Sequence, residues 1–491
     1  MIVAFAFAAG LAMLQMLIGG RGPLFPLPGY ALLALTALAG IATVKYSRTQ
    51  ADSSCLYATA LFCSYIGVRA LLTPGYFARA DIYTVAGALV VYGLTATVLT
   101  SSRARLAVLV TLLAVAMPHV LIGAVQFTQG NNFMLIPFLQ RVDYGPRASG
   151  FFVCPNHLAG LLEVVGVFGV SITCWSRLPM WAKLLVGYAT AGCYLGVALT
   201  GSRGGYLSVL ASLLAFAFLT LLMLRAAMPR GWVKFGGIAV GALAAAVLAG
   251  TVLMHQNAYL SGRAGNIIDR KNVRMDLWRA AVQQWQLQPI LGTGAGTYRF
   301  YGRHFRTEQM QNDPIDVHND YLHLLCEYGL LGLAAFGLFF AAHARQAWRG
   351  VRRCIDNAAE QRSGLLSNRR ALLLGGVSAV AAYVVHSGVD FNLHVPANAM
   401  LLAFVFGMIA NAGDTRHAEY SDARVVRLPR IATALIAAML LLRCGRFFPA
   451  EYHAERARTA LRDEDPIAAI LSANESLRYD RGNPEVFFYL G

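Results

Sequence analysis

Residues 182–200 read AKLLVGYATAGCYLGVALT, residues 201–204 read GSRG, and residues 205–224 read GYLSVLASLLAFAFLTLLML. Each flanking run is unbroken by charge beyond Lys183 and long enough, at about 1.5 Å of rise per residue, to span a hydrocarbon core about 30 Å thick. Between them lies a short polar turn carrying one arginine, Arg203. Two apolar helices joined by such a turn read as a transmembrane hairpin.

The same pattern recurs in both directions. Apolar spans are expected at 1–19, 28–44, 54–73, 82–100, 105–127, 157–175, 182–200, 205–224, 235–254, 324–343, 371–390, 395–412 and 430–443. The last is short for a crossing and reads as a re-entrant or interfacial segment as readily as a span. The chain has 491 residues, of which 57% are hydrophobic and 13% charged, with a mean hydropathy of +0.52. That is too little charge to cover a soluble protein of this length. The expected fold class is therefore an all-α polytopic membrane protein of about 12–13 transmembrane helices. Its expected divisions are helices one to nine over 1–254, a large, partly helical loop over 255–323, the remaining spans over 324–443, and a short helical tail over 444–491.

The net charge of +16 is not a nucleic-acid signature. Its basic residues collect in alternate connections: Arg103 and Arg105; Arg177 and Lys183; Arg225, Arg230 and Lys234; Arg345 to Arg370; Arg416 to Arg430. The positive-inside rule places those loops and the N-terminus in the cytoplasm and the large loop on the other face, the periplasm of a Gram-negative cell. The N-terminal run has no basic residue ahead of it and reads as a first span, not a cleaved leader. The eight cysteines show no C-x-x-C pair and read as small buried hydrophobes.

The large loop holds eight Arg or Lys and six Asp or Glu. Arg274, Trp278, Ala281 and Trp285 share helical spacing, Gln288-Pro289 ends that helix, and Leu291 to Thr297 reads as a tight glycine turn. It is no P-loop, because G-x-x-x-x-G-K-[ST] is missing. From Asp316 the helical period resumes through His318, Leu322, Leu325 and Gly329 into the next span, which puts His318 on a helix's first turn, where it could act as a base or the helix end could bind an anion. His318 and His323, five apart, do not share a face, and no metal or other cofactor is expected. Arginines at the same face, Arg147, Arg203, Arg263 and Arg274, suit a diphosphate, which a guanidinium grips with a planar fork. A cluster of His386, Ser387, Asp390, Asn392 and His394 closes the eleventh span. In the tail, Ala454, Ala457, Ala460, Ala468, Ala469 and Ala473 mark two short amphipathic helices, and Asn483 to Gly491 resembles the opening of a tetratricopeptide repeat. One repeat cannot bury its own face, so it is read as a surface for a protein partner or as an ordinary helical hairpin.

Four stretches together resemble the O-antigen ligase and polymerase superfamily of bacterial membrane glycosyltransferases, over about residues 100–412: Arg147 to Leu161 with Pro155-Asn156-His157; Ser202-Arg203-Gly204; Arg274 to Tyr298 with Pro289 to Gly294; and His318-Asn319 through Glu327-Tyr328-Gly329. Asp390-Phe391-Asn392 is a weaker echo. The resemblance implies metal-independent transfer of a glycan from an undecaprenyl-diphosphate carrier to an acceptor at the periplasmic face of the inner membrane. It implies catalytic roles for His318, Arg203 and Arg274, and substrate contacts for Arg147, Asn156, His157, Arg263, Asn319 and Asp390. Its members include ligases acting on lipid A-core, polymerases of O-antigen or exopolysaccharide, and protein O-oligosaccharyltransferases. The ligase-type acceptor is slightly preferred here. A lipid-linked oligosaccharide transporter is the alternative from another class; it predicts charge at mid-depth in several spans.

Overall fold

A computed structural model describes residues 1–44, 51–136, 139, 144–234, 236–237, 241, 273–308, 313–360, 364–412 and 423–491. The expected span 235–254, three residues apart, and Arg263 lie outside the described residues. Among the described residues every regular element is a helix. The membrane helices are α1 (Ile2–Met16), α2 (Pro26–Thr43), α3 (Ser53–Leu72), α4 (Arg79–Thr97), α5 (Ser102–Gln129), α6 (Pro155–Trp175), α7 (Met180–Thr200) and α8 (Arg203–Ala227). The loop supplies α9 (Val273–Leu287) and α10 (Tyr298–His304); then come α11 (Asp320–Glu360), α12 (Asn368–Ser387), α13 (Pro396–Ala410), α14 (Ala423–Arg462), α15 (Pro466–Tyr479) and α16 (Pro484–Leu490). Ten of the described helices are long and apolar enough to cross a membrane, and α1 and α13 are shorter apolar helices.

The bundle is built around α6, 83% of whose most apolar stretch is buried. Small residues let the neighbours come close, as in membrane packing generally. A side chain at Gly169 would collide with Thr190 of α7, and one at Gly375 of α12 would collide with Phe168. At the periphery, α3, α7 and α14 turn large apolar side chains outward, among them Tyr57, Leu184, Leu185 and Leu442. That arrangement is stable only if lipid surrounds it. The eight cysteines are free, and Cys174 is exposed rather than buried.

The two ends of the bundle differ in chemistry. At one end the arginines of the basic connections bond backbone carbonyls at helix ends and in the adjoining loops. Arg105 donates to the carbonyls of Leu99, Thr95 and Asn411, Arg177 to that of Leu366, and Arg430 to those of Ile41 and Val44. Asp52, which caps α3, faces Arg345 and Arg349. The opposite end gathers the 17–25 turn, the α7–α8 turn, the described part of the large loop, the 388–395 turn and the tail.

Two sequence expectations need correction. The final helix is not confined to 430–443: α14 runs unbroken for 40 residues, through the expected division at 444. Ala454, Ala457 and Ala460 are therefore the far end of a membrane helix rather than a separate one. Helical hydrogen bonding does not stop at a membrane surface, so a fall in hydropathy misplaced the boundary. Conversely, the helix carrying His318 is not continuous. The chain breaks at Gly329 (φ 66°, ψ −169°), and helix α11 begins at Asp320, two residues beyond His318.

The glycine turn explains that break. It docks into it: Thr293 and Gly294 donate to the carbonyls of Cys326 and Glu327, while Leu330 and Leu331 donate to those of Pro289 and Ile290. Groups orphaned by the interrupted helix are thus satisfied from the loop. A β-carbon on Gly292 would lie 2.3 Å from Glu327 backbone atoms, and one on Gly329 would lie 2.3 Å from the Ile290 carbonyl. Both have positive φ, so only glycine fits.

Candidate active site

The site forms where the polar starts of α6, α8 and α11 meet the turn after α12. Each start is locally specified. Pro155 occupies the first position of α6, which tolerates proline because its N–H is unbonded there anyway. Ser202 caps α8 through Gly205 N–H. The Asn319 side chain accepts from Leu322 N–H at 3.0 Å and caps α11.

Asp390 is the hub. Only 1% of its side chain is exposed, and its carboxylate takes every donor that converges on it. The Asn156 amide donates at 2.5 Å, Arg274 at 3.3 Å and the residue's neighbour Phe391 N–H at 2.9 Å. His318 Nδ1 lies 3.2 Å from the oxygen that accepts the Phe391 N–H, while Asn156 and Arg274 share the other. Burial works against ionisation, but the hydrogen bond and charge of His318, with Arg274 and His386, outweigh it and hold the Asp390 carboxyl well below the usual carboxylate range. Asn156 also extends the network outward: its carbonyl oxygen accepts from Arg147 at 2.6 Å. Arg147 in turn caps α7 through the Thr200 carbonyl at 2.8 Å.

His318 is held in a conformation it would not choose. Its φ is +55°, a region costly for a residue with a β-carbon. Three anchors hold it there: Asp390 on the ring, Trp278 Nε1 on its carbonyl at 3.4 Å, and the next residue, Asn319, on the Gly388 carbonyl at 2.9 Å. Arg274 and Trp278, one turn apart on α9, thus both face this turn, as their spacing implied.

Of the residues singled out in the sequence, Arg147, Asn156, Arg274, His318, Asn319 and Asp390 belong to one hydrogen-bonded constellation. Arg203 opens α8 beside it. A β-carbon on the next residue, Gly204, would meet Val389 at 2.9 Å and His386 at 3.1 Å, so this start packs on the turn that carries Asp390. Three residues read as substrate contacts are engaged differently. The Asn156 amide joins Arg147 to Asp390, Asn319 ties the His318 turn to Gly388, and His157, 3% exposed, sets its ring edge-on to Phe391 at 4.7 Å. Asn156 and Asn319 thereby tie the turns of the site together, while the buried His157 Nε2 has no hydrogen-bond partner among the described residues.

Sequence reasoning passed over Arg21 and met Phe391 only within the weaker Asp390-Phe391-Asn392 echo. The Phe391 ring stands between His157 and His318, 4.6 Å from the latter, and Arg21 lies over it at 5.0 Å while pairing with Asp316 at 2.5 Å. Arg21 is the one cation of the short glycine-rich connection 17–25, and that isolation was the available signal. The ion pair has an electrostatic signature too. Burial would raise Asp316, but Arg21, helped by His323 and His394, holds it down at about 2. Behind Asp390, His386 and Glu163 form a wholly buried pair at 3.0 Å.

A cavity of about 490 Å³ lies on the other side of the 315–321 segment. Asp316 and Asp320 line it; His318, Arg274 and Asp390 do not.

This is a multi-pass membrane protein in which a buried carboxylate at one end of the bundle draws together a histidine, an arginine and an asparagine. Residues 188–337, from within α7 to the first part of α11, match the family model for O-antigen ligase, and the chain carries a domain of that family of glycan-transferring membrane enzymes. Arg203, Arg274 and His318 fall inside the matched stretch; Arg147, Asn156 and Asp390 fall outside it. The search of curated proteins finds no match to the chain.

Proposed function

We propose that the protein transfers a glycan from an undecaprenyl-diphosphate carrier to an acceptor at the periplasmic face of the inner membrane, in the manner of an O-antigen ligase. The observation that carries this reading is the shared carboxylate. Asp390 joins the candidate base His318 to Arg274, and through Asn156 to Arg147. The constellation also lies at the end of the bundle opposite the basic connections, which the positive-inside rule assigns to the periplasm.

The chemistry follows from the geometry. With Nδ1–H donated to Asp390, the His318 ring has Nε2 as its proton-accepting nitrogen. An acceptor hydroxyl gives its proton to Nε2 as its oxygen bonds to the anomeric carbon. The bond from that carbon to the diphosphate oxygen breaks, and its electron pair leaves with the diphosphate, inverting the centre. Asp390 fixes the ring's tautomer and stabilises the imidazolium, the division of labour seen in hydrolytic triads. Arg274 and Arg203, with Arg147 behind, meet the growing charge on the leaving group. Fixed cations placed before the reaction contribute several kcal/mol in such roles, so no metal is required. Activity is expected to persist in EDTA.

His318→Ala tests this. The variant is expected to insert and express normally but fail to restore the glycan profile of a gene-deletion strain. Normal restoration would remove His318 from the mechanism. Uncapped lipid A-core with long carrier-linked chains in the deletion strain supports the ligase reading, whereas accumulated single repeat units turn it to a polymerase.

A further inference from the structure

His318 and its carboxylate partner come from segments 72 residues apart in the chain, and the hydrogen bond between them is only as well fixed as the two backbones that carry it. The 316–320 segment is hard to fix. His318 holds a φ of +55° in its middle, and Asp316 and Asp320 line the cavity of about 490 Å³ on its far side, so packing supports it less there. Side-chain ties at both flanks do the holding. Asp320, two residues after His318, accepts from Leu393 N–H at 3.3 Å and lies 3.0 Å from His394 Nδ1. Asp316, two residues before it, is 12% exposed and pairs with Arg21 at 2.5 Å.

Arg21 touches the other segment as well. Its guanidinium lies 5.0 Å over the Phe391 ring, within cation–π range. Phe391 follows Asp390 in the chain, donates its N–H to the Asp390 carboxylate at 2.9 Å, and sets its ring edge-on to His318 at 4.6 Å. One side chain therefore grips the residue two before the candidate base and the residue one after its carboxylate. Arg21 is itself delivered by a docked turn. The Gly19 carbonyl accepts from Ala397 N–H at the start of α13 at 3.1 Å. A β-carbon on Gly19 would lie 2.5 Å from the Phe152 ring ahead of α6, and its φ is +73°, so only glycine lets the turn come this close.

We propose that Arg21 is a positioning residue for transfer: paired with Asp316 and seated on Phe391, it staples the 316–320 segment to the 388–395 turn and keeps the strained His318 in register with Asp390. The inference rests on the transfer reading. It adds a residue far outside the stretch that matches the family model, 188–337. Its task differs from that proposed for Arg203 and Arg274, since it acts on the placement of the base and not on the diphosphate. Pairing through one nitrogen with one carboxylate oxygen needs a cation within reach rather than a planar fork, so lysine can serve here.

The test uses the purified full-length chain in nanodiscs and the lipid-diphosphate donor extracted from the gene-deletion strain. A misplacement of about 1 Å can cost ~100-fold, so Arg21→Ala is expected to lower kcat at least ~tenfold while the donor KM stays within about twofold. Arg21→Lys is expected to recover most of that loss, unlike the lysine variants of Arg203 and Arg274. Asp316→Asn should lower kcat in the same way, and combined with Arg21→Ala it should be no slower than Arg21→Ala alone, because the two act as a unit. Placement of the ring is read directly by nuclear magnetic resonance of the chain carrying isotope-labelled histidine. The His318 ring signals, identified by their loss in His318→Ala, are expected to be single in the wild type and Arg21→Lys and broadened or split in Arg21→Ala. Arg21→Gln reads the same quantities if the alanine variant does not fold. A raised donor KM with kcat unchanged would make Arg21 a donor contact and overturn the proposal. Undisturbed His318 signals, or a lysine variant as slow as the alanine one, would overturn it too. Because the ring signals are read without turnover, this outcome is separate from whether His318→Ala abolishes transfer.

Discussion

Asp390→Asn keeps the side chain's size and removes its charge. The buried carboxylate accepts from the Asn156 amide, Arg274, His318 and its neighbour's N–H. An asparagine has one acceptor oxygen, and its NH₂ would point at a donor already there. Removing one partner from a buried ion pair costs about 3–5 kcal/mol. His318 and Arg274 are 31% and 26% exposed, so solvent takes up part of that and the fold should survive. The catalytic consequence is larger, because His318 then loses both the tautomer and the orientation that the carboxylate imposes. At ~1.4 kcal/mol per tenfold, the same 3–5 kcal/mol corresponds to a fall of about 10² to 10⁴ in transfer rate. The assay is transfer from a purified lipid-diphosphate donor by the full-length variant in nanodiscs, beside a thermal unfolding curve. Residues acting as a unit lose activity non-additively, so Asp390→Asn combined with His318→Ala should be no slower than His318→Ala alone. If the folded single variant keeps more than about a tenth of wild-type transfer, the hub argument is wrong.

Three further outcomes are expected. Arg274→Lys and Arg203→Lys should restore little of the activity lost in the alanine variants, because an ammonium cannot make the bidentate fork; full rescue in the donor-transfer assay would contradict diphosphate clamping. Gly292→Ala should lower the unfolding temperature sharply or prevent expression, since its β-carbon meets backbone at 2.3 Å at a φ of +72°; a variant as stable as wild type would show that the glycine turn does not clip the α11 break. His394, opposed by burial but held by Asp320, is pushed up to about 9, above its ordinary value of about 6.5. Its contribution to stability is therefore complete below pH 6.5 and lost as pH rises through about 9. The unfolding temperature should fall over that window, and His394→Gln should flatten the fall.

The parts of the site that could be read along the chain are those whose chemistry shows in a residue and its immediate neighbours. Arg203 between glycines, His318 beside Asn319, and Arg274 one turn before Trp278 stood out because a polar residue next to an apolar run needs a reason to be there. Asn156, His157 and Asn319 were noticed for the same reason, but the contacts that hold them were not legible, since a partner 234 residues away in the chain, as Asp390 is from Asn156, leaves no mark on local sequence. Arg21 was missed because its value depends on Phe391 and Asp316. The helical period ran through Gly329 unbroken on paper, because apolar spacing does not register a break that another loop fills.

Sequence alone determined that the chain is a bundle of apolar helices and which end of it carries the basic loops. Each span must satisfy its own backbone in lipid, so length and hydropathy suffice, and the basic residues of alternate connections necessarily come out at the same end. Only the tertiary structure decided that Asp390 is the centre of the candidate site, that the glycine turn closes a broken helix, and that an acid-lined cavity lies behind His318. Those features are made by contacts between segments far apart in the chain, and such contacts exist only once the helices have packed.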